Sequence, residues 1–253
     1  MTMLKTVRHE TLLQLLHAQG SASVNEIAEH LNTSSATARR DLAELERQSL
    51  VERTWGGVRL VTDVDDPFQE ALMSQGAAKR RIGAAAADLV PDGATVILDI
   101  GTTVHHVARE LADRDITVLT ASLPTFEVLR TVGRANIILL GGSWSEKYQC
   151  FTGSTVTDVL EHQQADIAFL GCSGLSDSGR IRDTSYPQSS IKRAILAASS
   201  HTWLLADAKK FPGKGGISPF EVDRLDGIIT DSTDLATPLI EKCRNHDTEI
   251  RIV

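Results

Sequence analysis

The chain is 253 residues long, 42% hydrophobic and 23% charged, which are ordinary values for a globular protein of one large domain or two moderate ones. No apolar run approaches ~18 residues, so no transmembrane helix and no membrane partner are expected. The charge-studded start MTMLKTVRHETLLQ lacks the apolar stretch of a secretory signal. Cys150, Cys172 and Cys243 are widely spaced and form no C-x-x-C pair, so neither a metal site nor a disulfide framework is expected, and a reducing cytoplasm is the expected compartment.

The net charge is −7, but it is spread unevenly. Residues 1–59 hold seven Lys/Arg against seven Asp/Glu, and the remainder hold nineteen against twenty-six. Any affinity for nucleic acid must therefore come from where individual arginines stand, not from bulk charge.

The spacing predicts a first helix over residues 4–18, stopped by Gly20. Ser23-Val-Asn-Glu26 reads as a capping box. Behind it Val24, Ile27, Ala28 and Leu31 fall on one helical face. Asn32-Thr33-Ser34 makes a turn, and Ser34 can cap a third helix running to Arg47. In that helix Ala38, Leu42 and Leu45 share the inner face, while Ala36, Arg40, Glu44 and Arg47 point the other way with Thr37 and Arg39 beside them. Residues 50–54 and 58–61 around Trp55-Gly56-Gly57 predict a hairpin. Three helices and a hairpin make a winged helix-turn-helix over residues 1–61.

The outward face of the third helix has the chemistry of duplex recognition. Thr37, Arg39 and Arg40 offer donors to base edges and phosphates. Ser34 and Ser35 stand where free N–H groups favour a phosphate. Arg53 and Arg59 flank the wing tip and are expected to reach backbone or minor groove. A plainer assignment pairs Arg39, Arg40 and Arg47 with Asp41, Glu44 and Glu46 on a solvated face. Trp55 is expected to pack under the wing.

Residues 62–76, with Asp63, Asp65, Asp66 and Pro67, read as a linker. From 77 to 253, apolar strands alternate with helices. Strands are predicted at 95–99, 117–120, 136–140, 166–170, 202–206, 227–230 and 249–253, with helices at 101–112 and 126–132. That alternation predicts a mostly parallel sheet covered on both faces, so the fold class is α/β. Glycine-rich and polar loops follow strand after strand, at the edge where such sheets bind ligands. Gly101-Thr102-Thr103 before a helix suits a phosphate. Lys192 and Lys209 can add positive charge, and Asp99, Asp183 and Asp207 can meet sugar hydroxyls.

The run Ser35-Ala-Thr-Ala-Arg-Arg-Asp-Leu-Ala-Glu-Leu45 and the wing Arg53-Thr-Trp-Gly-Gly57 resemble the DeoR family of bacterial repressors. The likeness continues from about Lys79 to Asp231 through Leu98-Asp99-Ile-Gly-Thr-Thr103, Val118-Leu-Thr120, Leu140-Gly-Gly142, Phe169-Leu-Gly171 and Ala206-Asp-Ala-Lys-Lys-Phe211. It implies a sensor domain folded like ribose-5-phosphate isomerase and CoA-transferases, and a phosphorylated sugar effector. It implies a pocket lined by Asp99, Gly101, Thr102, Thr103, Thr120, Gly141, Gly142, Lys192, Asp207 and Lys209. The chain departs from the family at Ala38, Ser49, Ala121, Gln188 and Ser189.

The expected function is thus a sequence-specific regulator that represses a carbohydrate-utilisation operon. It would bind double-stranded operator DNA as a dimer or tetramer and be released by the effector, because one recognition helix covers too few base pairs alone. No cofactor is expected. An isomerase-like enzyme is the alternative. Against it, Gly171-Cys172-Ser173-Gly174 stands where the isomerases carry an Asp-Gly-Ala-Asp-type loop, with no carboxylate to act as base. A winged helix that binds protein instead of DNA is a third reading, disfavoured by the outward Arg39–Arg40 pair.

Overall fold

The computed structural model describes residues 5–19, 21–47, 51–54, 57–60 and 65–253. Leu4, Gly20, Ser49, Leu50, Trp55, Gly56 and residues 61–64, for which expectations are stated above, lie outside the described residues, as do the side chains of Arg47 and Arg59. The chain divides into two compact units, Met1–Asp63 and Val64–Val253.

The first unit runs α1 (Lys5–Gln19), β1 (Ser21–Ala22), α2 (Val24–His30), α3 (Ser35–Arg47), β2 (Val51–Thr54) and β3 (Gly57–Leu60). The capping box forms as read: Ser23 Oγ accepts from Glu26 N, and Glu26 Oε2 accepts from Ser23 N at 2.7 Å. Leu12 and Leu16 of α1, Ile27 of α2 with Leu31 that caps it, Ala38, Leu42 and Leu45 of α3, and Val51 and Val58 of the hairpin close one core. Each fully buried leucine or isoleucine contributes about 1.5–3 kcal/mol. The two-residue strand β1 was not anticipated. It pairs antiparallel with β3, giving the order β1-β3-β2. Gly57 is required by that pairing, because a Cβ there would stand 2.4 Å from the Ala22 carbonyl oxygen.

In the second unit the elements are α4 (Phe68–Met73), α5 (Gly76–Ala87), β4 (Thr95–Leu98), α6 (Thr102–Leu111), β5 (Thr117–Thr120), α7 (Leu123–Val132), β6 (Asn136–Leu139), β7 (Ser143–Ser145), β8 (Cys150–Thr152), α8 (Ser154–Leu160), β9 (Ala165–Leu170), β10 (Gly174–Leu175), β11 (Ile181–Arg182), α9 (Tyr186–Ala197), β12 (Ser199–Leu205), β13 (Gly227–Thr230), α10 (Thr237–Asn245) and β14 (Glu249–Ile252). Seven strands form one parallel sheet in the order β14-β13-β12-β9-β4-β5-β6. One face is covered by apolar residues of α5 and α6 (Ile82, Val104, Leu111) and the other by those of α8, α9 and α10 (Leu160, Ile195, Leu239).

From β4 the chain progresses outward through β5 and β6, and then returns to β9 on the other side of β4. The point between β4 and β9 is therefore the topological switch, the place where an open α/β sheet leaves a crevice beyond its carboxyl ends. Two starts differ from expectation. The seventh helix begins at Leu123, not 126, because Ser122 Oγ accepts from Thr125 N and Pro124 suits a first turn. Strand β12 begins at Ser199, not 202, because its polar start still pairs with β9 from Ala165. The stretch read as a linker, 62–76, joins the second unit from Asp65 onward: Phe68 is 3% exposed and packs edge-on to His105.

Candidate functional site

Helix α3 is fixed from below. Ser34 Oγ accepts from Thr37 N at 3.2 Å and lies 3.0 Å from Thr37 Oγ1, and Ser35 Oγ donates to Asn25 Oδ1 on the preceding helix. Asp41 is buried and belongs to the fold, not to the solvated face. Its two oxygens take Arg8 Nε at 2.7 Å and Arg8 Nη2 at 2.9 Å, with His9 Nε2 at 3.3 Å. Burial pushes the Asp41 carboxyl up, but the bonds and charge of Arg8 and His9 outweigh it and hold the group below the usual carboxylate range. Glu46 likewise turns to the wing, where Arg53 Nε meets it at 3.0 Å.

Those two assignments remove two of the three acids expected to neutralise Arg39 and Arg40. Both arginines are exposed, and among the described residues neither forms an ion pair. Arg53 keeps 63% of its side chain in solvent. An exposed pair of that kind is worth little, so Glu46 holds Arg53 only weakly.

The second unit holds a cavity of about 330 Å³ at the carboxyl ends of β4, β9 and β12. Of the sequence-predicted residues, Gly101, Thr102, Thr103, Lys192, Asp207 and Lys209 line it. Gly101 caps α6 without a side chain, so the first N–H groups of that ten-residue helix have no side-chain acceptor of their own. Asp207 is buried and accepts from Lys209 N at 3.1 Å, which turns the Lys209–Lys210 segment over the cavity.

Lys192 is the centre of a buried charge cluster. Its Nζ stands 2.9 Å from Asp99 Oδ2 and 3.2 Å from Asp183 Oδ2. Asp99 Oδ2 also accepts from Gly171 N, and Asp183 Oδ1 accepts from Thr184 N and Ser185 N. Burial pushes the Asp183 carboxyl up despite the ammonium beside it. Burial pulls the Lys192 amine down, but the two carboxylates outweigh that and raise it above its ordinary value. Its charge is thus already met within the protein.

Thr120, Gly141 and Gly142 stand apart from this cavity. Thr120 is fully buried and its Oγ1 accepts from Ser122 N, a strand-end turn. A Cβ on Gly142 would lie 2.5 Å from the Thr152 carbonyl oxygen, so that glycine admits the β7–β8 hairpin. Sequence reasoning missed Asp65, Lys79, Tyr148, Lys210 and Lys214, all on the cavity wall. Lys79 was findable: it shares a helical face with buried Ile82, Gly83 and Ala86. Its Nζ donates to the Ala71 carbonyl at 2.5 Å, and burial lowers the amine to about 8. Asp65 left no signal, because one acid among several in a polar stretch shows no period.

Behind the cavity, His105 and His106 of α6 are buried, and burial first, then nearby Arg109, lowers each imidazole to about 4 from 6.5. The unfolded chain therefore takes up protons that the folded one refuses. Their stabilising contribution is complete above pH 6.5 and falls away as the pH drops towards 4. Melting temperatures taken across that window should decline, and His106→Leu should flatten the decline. A wild-type profile that is level through it would contradict this.

A winged helix-turn-helix followed by a parallel α/β unit with a polar cavity at its switch point is the build of a ligand-sensing transcriptional regulator. The chain belongs to the DeoR family: the model of the DeoR-like helix-turn-helix domain matches residues 8–64, and that of the DeoR C terminal sensor domain matches residues 74–232. The glycerol-3-phosphate regulon repressor of Escherichia coli (strain K12) is 32% identical over 91% of this chain and 92% of its own. The L-fucose operon activator of Haemophilus influenzae is 32% identical over 95% and 97%, and the lactose phosphotransferase system repressor of Staphylococcus epidermidis (strain ATCC 12228) is 32% identical over 90% and 92%. Among solved structures, a ribose 5-phosphate isomerase A from Methanocaldococcus jannaschii aligns over 55% of each chain with 16% identity and a TM-score of 0.41. Among the described residues, no helix is long and apolar enough to cross a membrane.

Proposed function

We propose that this protein is a cytoplasmic repressor of a carbohydrate-utilisation operon. It binds operator DNA as a homo-oligomer, with Arg39 and Arg40 of α3 reading the major groove and Arg53 and Arg59 of the wing contacting the backbone. A phosphorylated sugar in the sensor cavity weakens that binding. The observation that carries the reading is the cavity itself. It combines the open N-terminus of α6 with Lys79, Lys209, Lys210 and Lys214, a donor set for a phosphate, in a volume of about 330 Å³ that suits a sugar phosphate. The relatives' names, which cite glycerol 3-phosphate, L-fucose and a lactose phosphotransferase system, support the same ligand class.

The cavity's chemistry favours binding over catalysis. The amine of Lys192 is committed to two carboxylates, and burial pushes the Cys172 thiol up to about 12, so neither is a ready nucleophile. Ribose 5-phosphate should remain unconverted.

The test is a thermal-shift screen of phosphorylated sugars and polyols, followed by operator binding with each hit. A ligand at a hundred times its Kd adds about 2.7 kcal/mol of stability, a shift of about 5 °C or more for a unit of this size. The same compound should lower operator affinity. If none of the panel moves either quantity, the reading fails.

A further inference from the structure

Residues 65–74 lie across the cavity as a strap, and four of the bonds that hold them there are made by groups able to bind an anion. Ser173 Oγ and Thr184 Oγ1 converge on one oxygen, Asp65 Oδ2, at 2.5 and 2.8 Å. Tyr148 Oη lies 3.3 Å from Thr184 Oγ1, and Tyr148 lines the cavity with Asp65 and Ser173. Further along, Lys79 Nζ donates to the Ala71 carbonyl and Lys209 Nζ to Ser74 Oγ at 3.2 Å. The Ser173 hydroxyl and two ammonium groups on the cavity wall, with the Thr184 hydroxyl that shares the Asp65 oxygen, are therefore spent on the strap.

We propose that Ser173 and Thr184 form an anion subsite of the cavity, and that the Asp65 carboxylate holds this subsite as an internal competitor until a ligand's phosphate displaces it. This rests on the reading of the cavity as a phosphorylated-ligand site. A hydroxyl has a single proton to donate. Ser173 and Thr184 each give theirs to Asp65, so a phosphate oxygen gains them only by expelling the carboxylate. The two anions cannot share the place either, since Asp183 and Asp207 already line the cavity and like charges at close range in a sheltered site repel. A phosphate also offers Lys79 and Lys209 a charged acceptor in place of the neutral oxygens of Ala71 and Ser74, and charge-assisted bonds are about twice as strong.

The consequence falls at one end of the strap. Asp65 lies at the N-terminal end of the sensor unit, and the chain immediately before it leads to the DNA-binding unit. Displacing Asp65 unties the stretch of sensor nearest that connection. Phe68, packed on His105 and bonded through its N–H to the Lys147 carbonyl, remains an anchor three residues on. Ligand occupancy is thereby converted into freedom of the segment leading to the recognition helix, without the sheet having to change.

Calorimetric titration of the full chain with inorganic phosphate, which carries the shared anion and nothing else, tests this. Asp65→Asn should bind phosphate about tenfold more tightly than the wild type, because a competitor held in place lowers apparent affinity by the fraction of time it occupies the site. Adding Ser173→Ala to Asp65→Asn should remove that gain. Hydrogen exchange of the amides of residues 66–74 should quicken when phosphate is added to the wild type, and should already be quick in Asp65→Asn. Equal or weaker phosphate binding by Asp65→Asn overturns the competitor role, as does a strap whose exchange slows or stays constant on adding phosphate. If phosphate binds none of the proteins, the subsite is overturned, while thermal shifts by sugar phosphates on the wild type would leave the cavity reading standing.

Discussion

Lys192→Met should cost the sensor unit about 3–5 kcal/mol, because it strands two buried carboxylates whose shared counter-ion is gone. Asp99 and Asp183 are 2% and 1% exposed, so water cannot take over from the ammonium. For a unit of this size the loss corresponds to a melting shift of about 6–20 °C. Two controls separate charge from shape. Asp99→Asn with Asp183→Asn on the Lys192→Met background should recover most of the loss, since amides carry no charge to compensate. The deficit relative to wild type should also shrink as the pH falls, as the stranded carboxyls take up protons. In the wild type the Lys192 amine is raised above its ordinary value. Its contribution is therefore complete at every pH below 10.5 and lost only in strong alkali. A Lys192→Met protein within about 1 kcal/mol of wild type would show that the triad is not what holds this end of the sheet.

Arg40→Ala should lower operator affinity by about ten- to a hundredfold while leaving the melting temperature unchanged, since a bidentate arginine–guanine contact is worth about 1–3 kcal/mol of discrimination. Arg40 is exposed, ion-paired with none of the described residues, and on the face opposite the buried Ala38, Leu42 and Leu45. Nothing in the unit's core depends on it. Arg39→Ala on the flank should weaken binding too. Whichever of the two touches phosphate should also reduce the steepness of the salt dependence by about one ion. The measurement is gel-shift or anisotropy titration against an operator selected from random duplexes, at two salt concentrations. Unchanged affinity in Arg40→Ala would remove α3 from the groove.

Where a feature depends on neighbours along the chain, the sequence displayed it. Ser23 and Glu26 are three residues apart, so their capping box was readable, as were the apolar faces of the second and third helices and each strand of the sheet. What depended on distant partners was hidden. Asp41 looked like a surface acid because Arg8 is a full helix away. Lys192 looked like a phosphate ligand because Asp99 and Asp183 reach it from other elements. The family resemblance implies Thr120, Gly141 and Gly142 in the pocket, but the crevice opens at the switch between β4 and β9, and strands β5 and β6, which these residues end or follow, lie to one side of it. The helix α5, GAAKRRIGAAAA, went unread because a single isoleucine among small residues marks its buried face only faintly, although the small residues let α5 lie close against α6, where a Cβ on Gly83 would stand 2.8 Å from that of His106.

The Arg8–His9–Asp41 brace also sets a rule for transplantation. A stretch covering residues 34–47, moved into another winged helix to lend it this protein's sequence preference, carries the reading face but leaves its foundation behind. In a host without a basic partner at the facing turn of the first helix, Asp41 arrives as an orphaned anion inside the new scaffold. The smallest portable specificity cassette is therefore discontinuous, the outer residues of one helix together with Arg8 and His9 from another.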